Sequence, residues 1–263
     1  MGWYRYKTMN KKLVLFDIDG TIVSYKEKTF IPPLTLEAID LLRQKGHIIA
    51  IASGRSLCTA KVIMNELNIH NAILHNGAQI IINNKSVFEK KINKDIATNF
   101  CRILSETKLC VFAFDGEKIY AHNMTDESKQ FLEEQAELTN YIKPLKENTN
   151  SLFCINIYGE PSQIPINFAD YNNLIFNDSL CELSVKGSSK GTALLTLSEE
   201  LNVNIQDTIA VGDGLNDIDL LKASQIGIAV GNACDELKKI ADIVTGDIED
   251  GGIYEAFLAL KLL

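Results

Sequence analysis

The chain contains six cysteines but no CxxC pair, and no cysteine–histidine spacing suited to zinc. Cys58, Cys101, Cys110, Cys154, Cys181 and Cys234 therefore read as reduced thiols, mostly small buried apolar groups of a cytoplasmic protein. There is no GxSxG elbow to make a serine nucleophile and no GxxxxGK[ST] loop to cradle a nucleotide. No stretch approaches the roughly 18 apolar residues of a membrane span. Repeats and low-complexity segments are absent. The first twelve residues, MGWYRYKTMNKK, are too polar for a signal peptide, and residues 1–8 are open to two readings, native sequence or an extension before Met9. Basic residues are the minority: Lys+Arg number 26 against 34 Asp+Glu, for a net charge of −8. That balance excludes a general nucleic-acid or anionic-membrane surface but leaves room for a local basic pocket holding one phosphate.

What is present is an ordinary soluble composition, 46% hydrophobic and 23% charged over 263 residues, with length enough for one large domain or two smaller ones. From 13 to about 79, short apolar runs alternate with helical patterns. Strands are expected at 13–18, 48–52 and 72–75, with helices at 35–45, capped by Thr35, and near 56–67. The alternation returns after about 190, with helices near 191–201, 217–223 and 234–240 and strands at 208–211, 226–230 and 242–244. Near-continuous apolar strands between helices predict a doubly wound, mostly parallel, Rossmann-like α/β sheet covered on both faces. The segment 80–184 reads differently. A hairpin about Asp115-Gly116-Glu117, strands at 151–158 and 181–185, and helices near 94–107 and 125–139 predict an inserted α+β cap. The expected organisation is a discontinuous core, 1–79 plus 185–263, with a cap at 80–184.

Residues 16–21 read FDIDGT and place Asp17 and Asp19 at the carboxyl end of a buried strand, where open α/β sheets bind ligands. An Asp-Gly turn alone would also explain that stretch. Three further clusters fall at equivalent places, however. Ser53-Gly54-Arg55 puts a hydroxyl and free backbone N–H groups at a helix entrance, where a phosphate oxygen can sit. Gly212-Asp213-Gly214-Leu215-Asn216-Asp217 adds two carboxylates and an amide, and Lys190 opens a helix within Lys186–Gly191. Asp17, Asp19, Asp213 and Asp217 in one crevice would repel one another and raise each other's pKa values. A hard divalent cation relieves this, and oxygen-only ligands favour Mg²⁺. Lys190, Ser53 and Asn216 would then hold phosphoryl oxygens, a pattern suited to phosphoryl transfer.

With those residues in place, the sequence resembles the haloacid dehalogenase superfamily in its Cof-like phosphatase branch, with a class IIB cap. The matching pieces are FDIDGT (16–21), SGR (53–55), NGA (76–78), SSKG (188–191), GDGLND (212–217), VGNA (230–233) and EDGG (249–252), in family order along essentially the whole chain. The resemblance implies that Asp17 is the nucleophile that forms an aspartyl-phosphate and Asp19 the general acid/base. It implies phosphate binding by Ser53, Gly54, Lys190 and Asn216. It also implies Mg²⁺ held by Asp17, the Asp19 backbone carbonyl and Asp213, with Asp217 supporting the metal or orienting Lys190. Asp19, which dehalogenating members lack, argues against dehalogenation.

The expected function is a Mg²⁺-dependent phosphatase for a small phosphorylated metabolite, such as a sugar phosphate or phosphorylated cofactor, working as monomer or homodimer without nucleic acid or membrane. A phosphomutase or phosphotransferase, and a non-catalytic phospholigand sensor, stand as alternatives. Arg55 is expected to pair with the cap or a neighbouring carboxylate. The four histidines read as structural or surface groups, with His75 near enough to the crevice to touch substrate. Phe112, Phe114 and Tyr120 read as sheet-face residues, and Glu133, Glu134 and Glu137 as a solvated helix face.

Overall fold

The computed structural model describes residues 11–26, 30–126, 128–129, 141–146, 149, 151–159, 172–177 and 180–263. The expected solvated face at Glu133, Glu134 and Glu137, residues 1–8 with Met9, and most of the helix expected near 125–139 lie outside them.

A large sheet is built from β1 (Leu13–Phe16), β2 (Ile48–Ala52), β3 (Ala72–Leu74), β4 (Gln79–Ile82), β5 (Lys85–Glu89), β12 (Thr208–Gly212), β13 (Ile226–Ala229) and β14 (Ile243–Val244). Its order is β14-β13-β12-β1-β2-β3-β4-β5. β1 lies between β12 and β2 and runs parallel to both, so the chain leaves it on one side and returns on the other. That reversal opens a crevice at the strand's carboxyl end. All four residues of β1 are fully buried, and alternate residues face opposite ways, so both sheet faces are covered. The covering helices are α1 (Pro33–Gln44), α2 (Leu57–Glu66), α4 (Lys190–Glu200), α5 (Ile218–Ala223), α6 (Asp235–Lys238) and α7 (Gly252–Ala259), with α7 packed beside α1 and α4 beside α5. Phe16 meets Phe257 of α7 with ring centroids 5.7 Å apart.

Two local expectations change. α1 begins at Pro33, with Pro32 in the capping position and no side-chain cap, so Thr35 is a buried residue of the first turn rather than the cap. Proline's fixed φ suits the first helical position, where its missing N–H goes unneeded. Residues 80–89, expected with the cap, instead extend the large sheet as the antiparallel hairpin β4–β5. Asn83 and Asn84 both take positive φ at its turn, a backbone state that asparagine tolerates.

The inserted segment forms a second sheet of β6 (Cys110–Phe114), β7 (Ile119–His122), β8 (Ile142–Pro144), β9 (Cys154–Tyr158), β10 (Asn172–Asn177) and β11 (Leu180–Ser184), ordered β10-β11-β9-β6-β7-β8. α3 (Lys94–Ser105), capped by Asn93, packs Ala97, Phe100, Cys101 and Leu104 on the face that carries Val111, Ala113, Ile155, Ile157, Cys181 and Leu183. The opposite face presents Cys110, Phe112, Phe114 and Cys154, which cluster with Cys58 of α2. That face is therefore the one turned toward the core. The two connections between core and cap meet where Lys90 Nζ donates to the Lys186 carbonyl at 2.8 Å.

Candidate active site

β1 delivers Asp17 to the crevice, and its backbone N–H extends the ladder to the Val211 carbonyl at 3.0 Å. Lys190, the first residue of α4, is fully buried and its Nζ donates to Asp17 Oδ1 at 2.7 Å and to Asp217 Oδ1 at 2.6 Å. The second oxygen of Asp217 accepts from the backbone N–H groups of Asp213 and Gly214, each at 3.0 Å. Asp217 thus both aims the lysine and folds the acidic loop on itself. Asp213 accepts from the Thr21 hydroxyl at 2.8 Å and the Tyr25 phenol at 2.9 Å. Gly20 has φ +82°, and a Cβ there would lie 2.4 Å from Asp213 Oδ2, so the turn after Asp19 excludes any side chain. Asn232 of VGNA donates to the Gly20 carbonyl at 2.7 Å, and Ser24 to Glu249 of EDGG at 2.5 Å, so both motifs brace this loop.

Carboxylate oxygens of Asp17, Asp213 and Asp217 lie within 4.8 Å of one another, all buried. Asp19 stands apart from them. Its carboxylate turns to Arg55, which donates from Nε at 2.9 Å and Nη2 at 2.5 Å. Ser53 is buried at the end of β2, and its Oγ accepts from the Arg55 backbone N–H at 3.1 Å. Asn216 reaches Asn76, with Nδ2 donating to Oδ1 at 3.1 Å.

The charges do not balance within this cluster. Burial, aided by Asp217, Asp213 and Asp19 and opposed by Lys190, pushes Asp17 well above the usual carboxylate range. Burial and then Asp217 push Asp213 up to about 6. Burial disfavours the Lys190 ammonium, but Asp17 and Asp217 outweigh it and leave its pKa raised. One buried ammonium among three buried carboxylates leaves the pocket short of positive charge.

A family model described as haloacid dehalogenase-like hydrolase matches residues 14–257. The chain belongs to that family. Among its relatives, the putative phosphatase YkrA of Bacillus subtilis (strain 168) is 30% identical, covering 97% of this chain and all of that protein. Among solved structures, a protein from Geobacillus kaustophilus HTA426 superposes with TM-score 0.85 at 25% identity, over 96% of this chain and all of its own. The haloacid dehalogenase subclass IIB sugar phosphatase BT4131 shares the fold at TM-score 0.82 and 21% identity, again over 96% of this chain and all of its own. This haloacid dehalogenase-like hydrolase is thus an enzyme of the phosphatase kind, built on the Cof-like, class IIB plan.

The donor set suits a hard divalent ion: among the described residues it is all carboxylate oxygen, with no thiol or imidazole in the cluster, and it needs a cation to offset its charge. His75, which sequence placed near the crevice, is fully buried instead beneath the cap. Its ring stacks on Phe153 with centroids 4.5 Å apart, and its Nδ1 lies 3.4 Å from Cys154 Sγ. Burial, with Lys91 nearby, pushes the imidazole down to about 3, so it is neutral. An open hollow of about 420 Å³ lies on the cap, lined by Asp115, Lys118, Tyr120, Lys143 and Lys146 and by none of the cluster residues.

Sequence reasoning missed three participants. Tyr25 follows the DxDGT stretch without any spacing signal. Asn76 belongs to a quoted motif, but its partners are distant in sequence. Glu182 carried the same signal as Asp17: a single carboxylate within an apolar strand, LCELS. It is buried, accepts from Asn76 Nδ2 at 2.9 Å, and burial pushes its carboxyl up to about 7 despite the opposing pull of Asn76 and Lys190.

Proposed function

We propose that this hydrolase is a Mg²⁺-dependent phosphatase that cleaves a small phosphate monoester through an aspartyl-phosphate on Asp17. The observation that carries the reading is the buried Lys190 bridge between Asp17 and Asp217, with an arginine-held Asp19 two residues away. The carboxylates of Asp17 and Asp213 and the backbone carbonyl of Asp19 would hold the ion, with Asp217 supporting them. Bound Mg²⁺ supplies positive charge to the phosphoryl oxygens and to the crowded carboxylates.

The Asp17 oxygen left free by Lys190 attacks phosphorus, and the bond to the ester oxygen breaks. Asp19 in its acid form gives that oxygen a proton, so the alcohol leaves neutral. Asp19, now a carboxylate, takes a proton from water, which attacks the aspartyl-phosphate and releases inorganic phosphate. Ser53, the N–H of Gly54, Asn216 and Lys190 hold the phosphoryl oxygens throughout, and Lys190 lowers the charge on Asp17 before attack. Arg55 orients Asp19 rather than meeting the substrate. The cap excludes water from the crevice and reads the leaving group. The proposed substrate class is a sugar phosphate or a phosphorylated cofactor. The sugar phosphatase BT4131, which shares the fold, supports it.

The test is phosphate release with Mg²⁺ from a panel of sugar phosphates, phosphorylated cofactors and p-nitrophenyl phosphate. Asp17→Asn is expected to lower kcat by at least about 10³-fold. Unchanged turnover in that variant rules out the nucleophile. Isomerised sugar phosphate with little free phosphate would show a mutase instead.

A further inference from the structure

Three side chains, one from the cap and two from the core, form a hydrogen-bonded chain that ends beside the crevice. Glu182 of β11 accepts from Asn76 Nδ2 at 2.9 Å, and Asn76 Oδ1 accepts from Asn216 Nδ2 at 3.1 Å. Cross-strand register pairs Glu182 with Asn156 and Asn156 with Phe112, so Glu182 stands on the core-facing side of the cap sheet. Asn76 sits where the phosphate-holding segments meet. Its backbone N–H donates to the Ser53 carbonyl at 3.2 Å, and a Cβ on Gly54 would lie 3.1 Å from its Nδ2. Its neighbour Gly77, at φ +95°, passes so near the turn before Lys190 that a Cβ would fall 2.1 Å from the Ser189 carbonyl oxygen. The 75–77 turn therefore touches the segments bearing Ser53, Asn216 and Lys190.

An amide side chain has a donor end and an acceptor end, and its neighbours decide which way round it sits. Glu182 Oε1 accepts from Asn76 Nδ2, an acceptor that the side chain offers in either protonation state, so Glu182 turns the Asn76 nitrogen toward itself and the Asn76 oxygen toward Asn216. Asn216 must then present its own nitrogen to Asn76. One N–H of that nitrogen is used, and the second is left for an anion in the crevice. Were Asn76 reversed, Asn216 would have to turn its oxygen inward, and its nitrogen would lose this anchor.

We propose that Glu182 is a positioning residue for phosphate binding: by fixing the direction of the Asn76 amide it sets Asn216 as a donor, so that a seated cap and a competent phosphate cradle come together. The proposal rests on Asn216 holding phosphate in the reading above. It assigns to a cap residue a role in binding the phosphoryl group itself, independent of the leaving group.

Inorganic phosphate has no leaving group, so its binding isolates the cradle. Calorimetric titration with phosphate in Mg²⁺ buffer is expected to show Glu182→Leu weakened about tenfold, the effect of one misplaced hydrogen bond to an ion. Glu182→Gln keeps an acceptor and should stay within about threefold of the wild type. Asn76→Asp sets two buried carboxylates against each other and should bind poorly. Combining it with Glu182→Gln restores a donor facing an acceptor, keeps an acceptor toward Asn216, and should recover phosphate binding. This pair preserves polar pairing and tests the chain even if the leucine variant does not fold. Wild-type phosphate affinity in Glu182→Leu, or no recovery in the double variant, overturns the proposal. So does a fall confined to kcat/KM for bulky esters, which would make Glu182 a leaving-group contact. A wild-type protein that binds no phosphate also overturns it. One that binds phosphate but cleaves no ester overturns the phosphatase reading alone, and the binding series still decides the relay.

Discussion

Arg55 grips both carboxylate oxygens of Asp19, with Nε 2.9 Å from one and Nη2 2.5 Å from the other. The arginine is almost wholly enclosed while the aspartate remains open to the crevice, so the fork holds the acid in place and leaves it reachable. The Arg55 backbone N–H also donates to Ser53 Oγ, tying the acid's support to the phosphate loop.

Removing that fork should harm proton delivery more than phosphate binding. Arg55→Ala is expected to lower kcat about tenfold or more for alkyl phosphates, whose alkoxide needs a proton, a fraction of the usual general-acid contribution. p-Nitrophenyl phosphate, whose leaving group departs without help, should be affected much less. Equal losses on both substrates would mean that Arg55 serves the phosphate loop and not Asp19.

Because the carboxyl of Asp213 is raised from 3.8 to about 6, the folded protein holds its proton more tightly than the unfolded chain does. Its contribution to stability is full below about pH 3.8 and is lost as pH rises through about 6. Protein stripped with EDTA should therefore lose stability between pH 4 and 6, and Asp213→Asn should flatten that decline. At pH 7.5, Mg²⁺ at 100 times its Kd should stabilise by about 2.7 kcal/mol, raising Tm by about 5–10 °C. At pH 5 the gain should shrink, because protons compete with the ion. Calorimetry with and without Mg²⁺ at the two pH values checks this.

Glu182 makes a second pH prediction away from the acidic cluster. Its carboxyl is raised from 4.5 to about 7, so stability from the protonated form is lost as pH climbs through that window. Full ionisation should cost roughly 3 kcal/mol. Glu182→Gln should match the wild type near pH 4 and exceed it in stability at pH 8, read by urea unfolding at both. A constant difference across pH would show that Glu182 is better solvated than its burial indicates.

Within the cluster of three buried carboxylates, Asp17, Asp213 and Asp217, Lys190 is the one buried ammonium. Lys190→Met strips Asp17 and Asp217 of their shared partner and should cost about 3–5 kcal/mol, lowering Tm by roughly 10 °C. Pairing it with Asp217→Asn should recover part of that loss without restoring activity. A Tm equal to the wild type would contradict the ion-pair geometry.

The acidic stretches could be read directly because each breaks a local rule. Asp17 ends a run of four buried apolar residues, and Asp213 and Asp217 crowd a glycine-flanked loop; neither is an economical way merely to end a strand. The partnership of Arg55 with a neighbouring carboxylate was also anticipated. Thr35 as a cap was not upheld, because the Pro32-Pro33 pair starts the helix earlier. Residues 80–89, expected with the cap, join the large sheet instead, because nothing in QIII or KSVFE marks which sheet edge will accept them.

From sequence alone came the strand-and-helix alternation, the acids at strand ends and the ordered motifs that mark the family. These are properties of neighbouring residues, written by hydrophobic period and turn chemistry within a few positions. Only tertiary structure set Asn76 between Glu182 and Asn216, the three drawn from the 75–77 turn, a cap strand and the acidic loop. Hydrogen bonding of side chains depends on distances of about 3 Å and on which end of an amide faces which neighbour. Nothing local in a chain encodes that for residues more than a hundred positions apart.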